Sequence, residues 1–289
     1  MNIPSSSSFR RWLPPWSAGL LLLLLLICGA AQADLMLFPT RIVFDAKQRA
    51  AQVELMNSGS KPETYRLHMV NRRMGPNGEF IAIETPGAGE QFADAMLVFS
   101  PHQVTIPPGG SQVVRILLRR PAELAEGEYR SHLQFDRVAD AEGSASVEQM
   151  ARNNPQQVGV VIQALIGASI PVIVRQGQPR SQVKLSQLTL VPSGQGKSGG
   201  ALSLAIEREG KASAFGDLAV SFTTAAGVTM ELARANGLAV YVPNPSRNVL
   251  LPLTLPGGAA LPAGTLRVTF RERPEAGAKL LADAALTLP

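Results

Sequence analysis

Val158-Gly159-Val160-Val161-Ile162-Gln163-Ala164-Leu165-Ile166-Gly167-Ala168-Ser169-Ile170-Pro171-Val172-Ile173-Val174-Arg175 is an apolar stretch whose only charge is its last residue. Its even positions from Val158 to Ile170 are all apolar, and its odd positions are mixed. Period two puts the even side chains on one face of a strand. Two glycines and repeated β-branched residues argue against a helix. The stretch is about three times the usual strand length of five to six residues. A long apolar strand at a sheet edge invites pairing with other chains. The only blunting devices here are Pro155 before it and Pro171 within it. Such an edge reads as one that something else is meant to occupy.

The rest of the chain follows the same period. Short runs rich in Val, Ile, Leu and Thr recur between Gly, Pro, Asn and Ser, the pattern of an all-β protein. Strands are expected at 35–45, 50–57, 63–72, 79–83, 102–106, 112–118, 128–137 and 158–175. A second set is expected at 182–191, 200–207, 215–224, 227–234, 238–242, 248–255, 265–271 and 279–287. Asn57-Ser58-Gly59, Pro76-Asn77-Gly78 and Pro107-Pro108-Gly109-Gly110 carry turn chemistry. Seven or so short strands suit one immunoglobulin-like sandwich, so two such sandwiches are expected. The segment from Val138 to Gln157 is polar and reads as a loop, and Gln176-Gly177-Gln178-Pro179 as a short hinge.

The N-terminus has the layout of an export signal. Arg10 and Arg11 precede the apolar run Leu20–Ile27, and Ala31-Gln32-Ala33 offers small residues for cleavage after Ala33. The run is short for a bilayer span, so stable membrane insertion is not expected. The domain plan is therefore a signal at 1–33, an N-terminal sandwich at 34–176 and a C-terminal one at 177–289. Cys28, the only cysteine, leaves with the signal, which removes disulfides, thiolate chemistry and cysteine metal sites. The net charge of +5 falls to +3 when Arg10 and Arg11 are lost. The remaining basic residues are scattered, which speaks against a nucleic-acid partner.

Catalysis finds little support. His68, His102 and His132 are isolated and lack metal-ligand spacing. No nucleophile elbow, phosphate loop or dinucleotide fingerprint occurs. No cofactor is implied. A secreted immunoglobulin-like structural or adhesive fibre protein is the alternative reading, because sandwiches host many functions.

Several segments together resemble the PapD-like periplasmic chaperones of the chaperone–usher pilus pathway. They are Pro39-Thr40-Arg41-Ile42-Val43-Phe44, the Asn57-Ser58-Gly59 turn and Ile106-Pro107-Pro108-Gly109-Gly110-Ser111-Gln112-Val113-Val114-Arg115. Gly127-Glu128-Tyr129-Arg130-Ser131-His132-Leu133 and the strand ending at Arg175 complete the set. The resemblance implies two immunoglobulin-like domains in a boomerang, a periplasmic location, and pilus subunits and an outer-membrane usher as partners. It also allows self-capping dimers of the free protein. It further implies that Val160, Ile162, Ala164 and Ile166 are lent to a subunit lacking its last strand; the alternative is that this face packs the chain's own core, and both hold if one end of the strand is internal and the other lent out.

The family also anchors the subunit's C-terminal carboxylate with an arginine and a lysine. The arginine matches Arg41, but the lysine position is Pro171, which marks a divergent branch. Period two puts Glu128, Arg130 and His132 on one face. Arg130, with His132 as an auxiliary donor, is thus a candidate to join Arg41; pairing of Arg130 with Glu128 or another acid is the alternative. Glu128 and Arg175 match positions that tie the two domains together, with Glu272 as one candidate partner for Arg175. Arg115 matches a position that supports the fold.

Overall fold

The computed structural model describes residues 35–138, 167–192, 200–255 and 261–289. Val160, Ile162, Ala164 and Ile166 lie outside the described residues, as do the expected signal at 1–33 and residues 139–157 of the expected loop. The described chain is all-β and forms two sandwiches, each around its own core.

The first sandwich packs a sheet of β1 (Leu35–Phe38), β3 (Ala50–Asn57), β9 (Ser111–Leu118) and β7 (Leu97–Ser100) against a second sheet. That sheet runs β2 (Ile42–Phe44), β11 (Ala168–Gln176), β10 (Gly127–Arg137), β4 (Glu63–Val70) and β8 (Gln103–Ile106). Phe44, Leu55, Ile106, Ile116 and Phe135 fill the space between them. The single strand expected at 35–45 is two strands, because Pro39 lacks an N–H for a continuous ladder and the chain crosses there to the other sheet. Strand β7 was not expected. Its four residues are too few to show a period, although Leu97 and Phe99 are buried.

Strands β5 (Arg72–Met74) and β6 (Phe80–Ala82) form a separate hairpin turned at Pro76-Asn77-Gly78. Met74 belongs to the second core, not the first. Gly78 has φ +90, and a Cβ there would lie 2.3 Å from the Arg247 guanidinium, so only glycine fits this approach.

The second sandwich joins β12 (Ser181–Val191), β13 (Ala201–Gly210) and β16 (Ser246–Pro252) to a sheet of β15 (Thr229–Val240), β14 (Ala214–Thr224), β17 (Gly264–Arg271) and β18 (Leu280–Leu288). Leu202, Ile206, Leu218, Phe222, Val268 and Phe270 form its core. The strands expected at 227–234 and 238–242 are one strand, β15. A bulge absorbs Gly237, whose N–H donates to Asp217 Oδ1 at 2.8 Å, so the glycine bends the strand without ending it.

Strand β11 serves both halves. Ile170, Val172 and Val174 point into the first core, while Ile173 from the opposite face packs in the second. β2 pairs with β11 in parallel over Val172–Val174 only, which leaves Pro171 just outside that pairing.

Asn57 links two turns of the first sandwich. Its buried Nδ2 donates to the carbonyls of Lys61 at 2.7 Å and Ile106 at 2.9 Å, and Oδ1 accepts from Gly59 N–H at 2.9 Å. Asn57→Ala removes three bonds and strands buried backbone groups, so it should cost about 2–4 kcal/mol. Urea unfolding of the two proteins measures this, and a loss below about 0.5 kcal/mol would show that the bonds are replaced by water.

Candidate functional site

β10 is covered on both faces. Leu133 and Phe135 point into the first core, while Glu128, Arg130, His132 and Gln134 alternate with them and are buried on the other side. Tyr241 and Phe215 from the second sandwich and Phe80 from the hairpin gather against this polar row and Arg41. The result is a cleft between the sandwiches lined by cations and aromatic rings.

Glu128 anchors one end. Its Oε2 accepts from Arg175 Nε at 3.0 Å and from the Ser213 N–H at 3.1 Å, and its Oε1 accepts from the Ser213 hydroxyl. Ser213 Oγ also accepts from the Val242 N–H at 3.1 Å. A carboxylate on β10 is thereby bonded to Ser213 of the second sandwich and, through the Ser213 hydroxyl, linked to the Val242 loop. Buried Arg208 braces those loops from behind, donating to the carbonyls of Asn244 at 2.9 Å and Ala212 at 3.1 Å. The acid that Arg175 meets is Glu128, on the neighbouring strand, and not Glu272.

Arg130 occupies the middle. It is 9% exposed, and its guanidinium carbon lies 4.2 Å from the Tyr241 ring centre. Nη2 donates to the Arg72 carbonyl at 3.1 Å, but Nε and Nη1 are buried without a partner among the described residues. The nearby acids are engaged elsewhere. Glu128 is held as described, and Glu90 accepts from Arg73 at 2.8 and 2.7 Å and from the Gly87 N–H at 2.7 Å. Burial pushes the Arg130 pKa down, but a guanidinium stays charged in proteins. A buried cation without a bonded anion is costly, so this arrangement suits an anionic ligand.

Arg41 stands closer to solvent. Its guanidinium lies 4.5 Å from the Phe215 ring centre and 5.4 Å from that of Tyr241, with Nη1 donating to the Tyr241 hydroxyl at 3.4 Å. It also lines an open groove of about 720 Å³ with Ile42, Ala50, Leu117 and the exposed Arg115.

His132 completes the row. It is 1% exposed, sits edge-on to Phe80 at 5.0 Å between ring centres, and has no partner on either ring nitrogen among the described residues. Burial, with the positive charges of Arg130 and Arg72, lowers its pKa from 6.5 to about 3. The ring is therefore neutral and offers one donor and one acceptor. It faces Pro171 in the β10–β11 register, the position where the resemblance implies a lysine.

Sequence reasoning named Arg41, Glu128, Arg130, His132 and Arg175, and missed Arg72, Phe80, Ser213, Phe215 and Tyr241. Period two could have extended the β10 row to Gln134. No local pattern points from β10 to Tyr241, which lies more than a hundred residues away. Among the described residues no cluster of His, Cys, Asp or Glu could hold a metal ion, and no helix is long and apolar enough to cross a membrane.

No family model matches the sequence, and no curated protein matches it. Among solved structures, the chain is similar to the YadV chaperone at 12% identity and TM-score 0.41, covering 88% of this chain and 100% of that one. It is similar to the Pseudomonas aeruginosa CupB2 chaperone at 12% identity and TM-score 0.43, with the same coverage. A third is the CsuC–CsuE chaperone–tip adhesion subunit complex of Acinetobacter baumannii, at 13% identity and TM-score 0.40, covering 88% and 98%.

Neutral burial of His132 has a pH signature. Its folded pKa of about 3 lies below the unfolded value of 6.5, so the unfolded chain binds the proton first as pH falls. The His132 contribution to stability is present above pH 6.5 and is lost downward towards pH 3, at about 1.4 kcal/mol per pH unit. Urea unfolding at pH 7 and pH 5 should show a loss about 2 kcal/mol larger in the wild type than in His132→Gln. Equal losses would mean that His132 is not held neutral.

The Glu128 contact predicts a second effect. Glu128→Ala leaves Arg175 and Ser213 without their carboxylate and should cost about 3–5 kcal/mol. Hydrogen exchange at the Ser213 and Val242 amides should accelerate before exchange in either core. Unchanged protection at both amides would refute the bridging role.

Proposed function

We propose that this chain is a periplasmic chaperone that captures pilus subunits by their C-terminal carboxylate and a lent strand. The observation that carries the reading is Arg130: a buried, permanently charged group between two sandwiches, with two nitrogens that meet no partner among the described residues. A terminal carboxylate supplies the acceptor oxygens and the opposite charge, and such charge-assisted bonds fix the register of an added chain. Arg41 and neutral His132 are placed to assist.

The strand is the second half of the proposal. Ile170, Val172 and Val174 form the inward end of the even-numbered apolar series. Continued by period two, that series carries Val160, Ile162, Ala164 and Ile166 on the same face, ahead of the part that fills the chaperone's own core. Lending them to a subunit groove is β-augmentation, with backbone pairing for affinity and alternate side chains for fit. Each Val or Ile buried contributes about 1.5–3 kcal/mol.

The further parts of the proposal rest on the sequence segments given above. The signal is cleaved after Ala33, residues 34–176 and 177–289 form the two domains, and loaded subunits pass to an outer-membrane usher. The role is one of binding, without cofactor or nucleotide, and the free chaperone can cap its own strand by dimerising.

Co-expression with a pilin-like subunit from the same gene neighbourhood tests both halves. Arg130→Ala should lower recovery of the complex by roughly 10–100-fold, the worth of one or two charge-assisted bonds. Removing the last residue of the subunit should have a similar effect. Paired Ile162→Asp and Ile166→Asp substitutions should abolish capture with the fold intact. Undiminished capture by Arg130→Ala would sink the carboxylate anchor, and capture by the double Asp variant would sink strand lending.

A further inference from the structure

Arg72, at the base of the β5–β6 hairpin, was singled out by no sequence feature, yet it meets Arg130 and His132 in the cleft. Among the described residues its buried Nε has no partner, in the same state as Arg130 Nε and Nη1 and both His132 ring nitrogens. Its carbonyl accepts from Arg130 Nη2 at 3.1 Å, so the two arginines are tied together.

The orientation of Arg72 is built. Its Nη2 donates to Gln134 Oε1 at 2.8 Å, and Gln134 Nε2 donates to Asp136 Oδ1 at 2.8 Å. The Asp136 carboxylate fixes which way the Gln134 amide points, and the amide holds one end of the Arg72 fork. Two neighbouring guanidinium groups repel, and the acids beside them, Glu90 and Glu128, already accept from Arg73, Gly87, Arg175 and Ser213. Arg41 stands closer to solvent, over the Phe215 and Tyr241 rings, with Nη1 donating to the Tyr241 hydroxyl at 3.4 Å.

We infer that Arg72 is the second cation of the carboxylate site, acting with Arg130 and the neutral His132 ring, while Arg41 is an outer contact. This inference rests on the carboxylate-capture reading and assigns the residues that perform it. It places on the hairpin the positive charge that Pro171 cannot supply from β11. The bound group is a terminal carboxylate, which accepts from the two arginines and the imidazole N–H. Phe80, itself 41% exposed, stands edge-on to His132 at 5.0 Å between ring centres and borders the site.

The test uses the full mature chain and a random dodecapeptide pool in two forms, free acid and C-terminal amide. The wild type should retain the free-acid pool over the amide. Arg72→Gln and Arg130→Gln should each lower free-acid retention by about tenfold or more and leave amide retention unchanged. Arg72→Lys, which keeps the charge but not the fork, should fall between, and it carries the test if Arg72→Gln does not fold. The exposed Arg267→Gln is the control and should match the wild type. Wild-type retention by the Arg72 variants alongside loss in Arg130→Gln would overturn the inference and leave carboxylate capture standing. If Arg130→Gln also matches the wild type, or the wild type does not separate acid from amide, capture itself falls and the role of Arg72 falls with it.

Discussion

A buried carboxylate, Glu128, is the contact on which the relation of the two sandwiches depends. It belongs to a strand of the first sandwich, yet two of its acceptor bonds go to Ser213 of the second. Ionised groups tolerate burial only when their bonds are met, and here Arg175 and Ser213 meet them together. Because Ser213 also accepts from the Val242 N–H, the bond extends to the loop that precedes Asn244. Asn244 in turn donates from Nδ2 to the Met74 carbonyl of the hairpin at 2.8 Å. One carboxylate thus sets the wall of the cleft and, through the loop, the hairpin that covers it.

The cleft itself runs against the usual economy of a β-sandwich. The outward face of a strand is normally solvated, but the polar face of β10 is covered by aromatic rings from both halves. Those rings replace water with quadrupoles, and Arg41 and Arg130 both settle on Tyr241. Cation–π contact offsets part of the desolvation of Arg130 but satisfies none of its N–H donors. Glu128 and Arg130 lie two residues apart on one face and are treated oppositely: the acid is fully bonded, the base is left with open donors. That asymmetry leaves positive charge with open donors in the cleft.

Much of the fold was legible because period two is a local property. The alternation of β9, β10 and β11 follows directly from side chains pointing to opposite faces. Legibility failed where neighbours in space decided the outcome. Pro39 sends the chain to another sheet, Gly237 bends a strand that continues, and β7 is too short to show a period. The site was half legible for the same reason. Glu128, Arg130 and His132 share a face by spacing alone, but Arg72, Phe80 and Tyr241 reach them from separate elements.

The sequence by itself determined an all-β chain, the polar row on β10 and the apolar series that ends in Ile170, Val172 and Val174. These depend on the geometry of one strand and need no partner to be read. Only the tertiary structure decided that Glu128 is satisfied and Arg130 is not, that Arg41 is engaged by aromatic rings, and that His132 is neutral. Desolvation and hydrogen-bond pairing depend on what packs against a side chain, and here that comes from strands and loops far away in the chain.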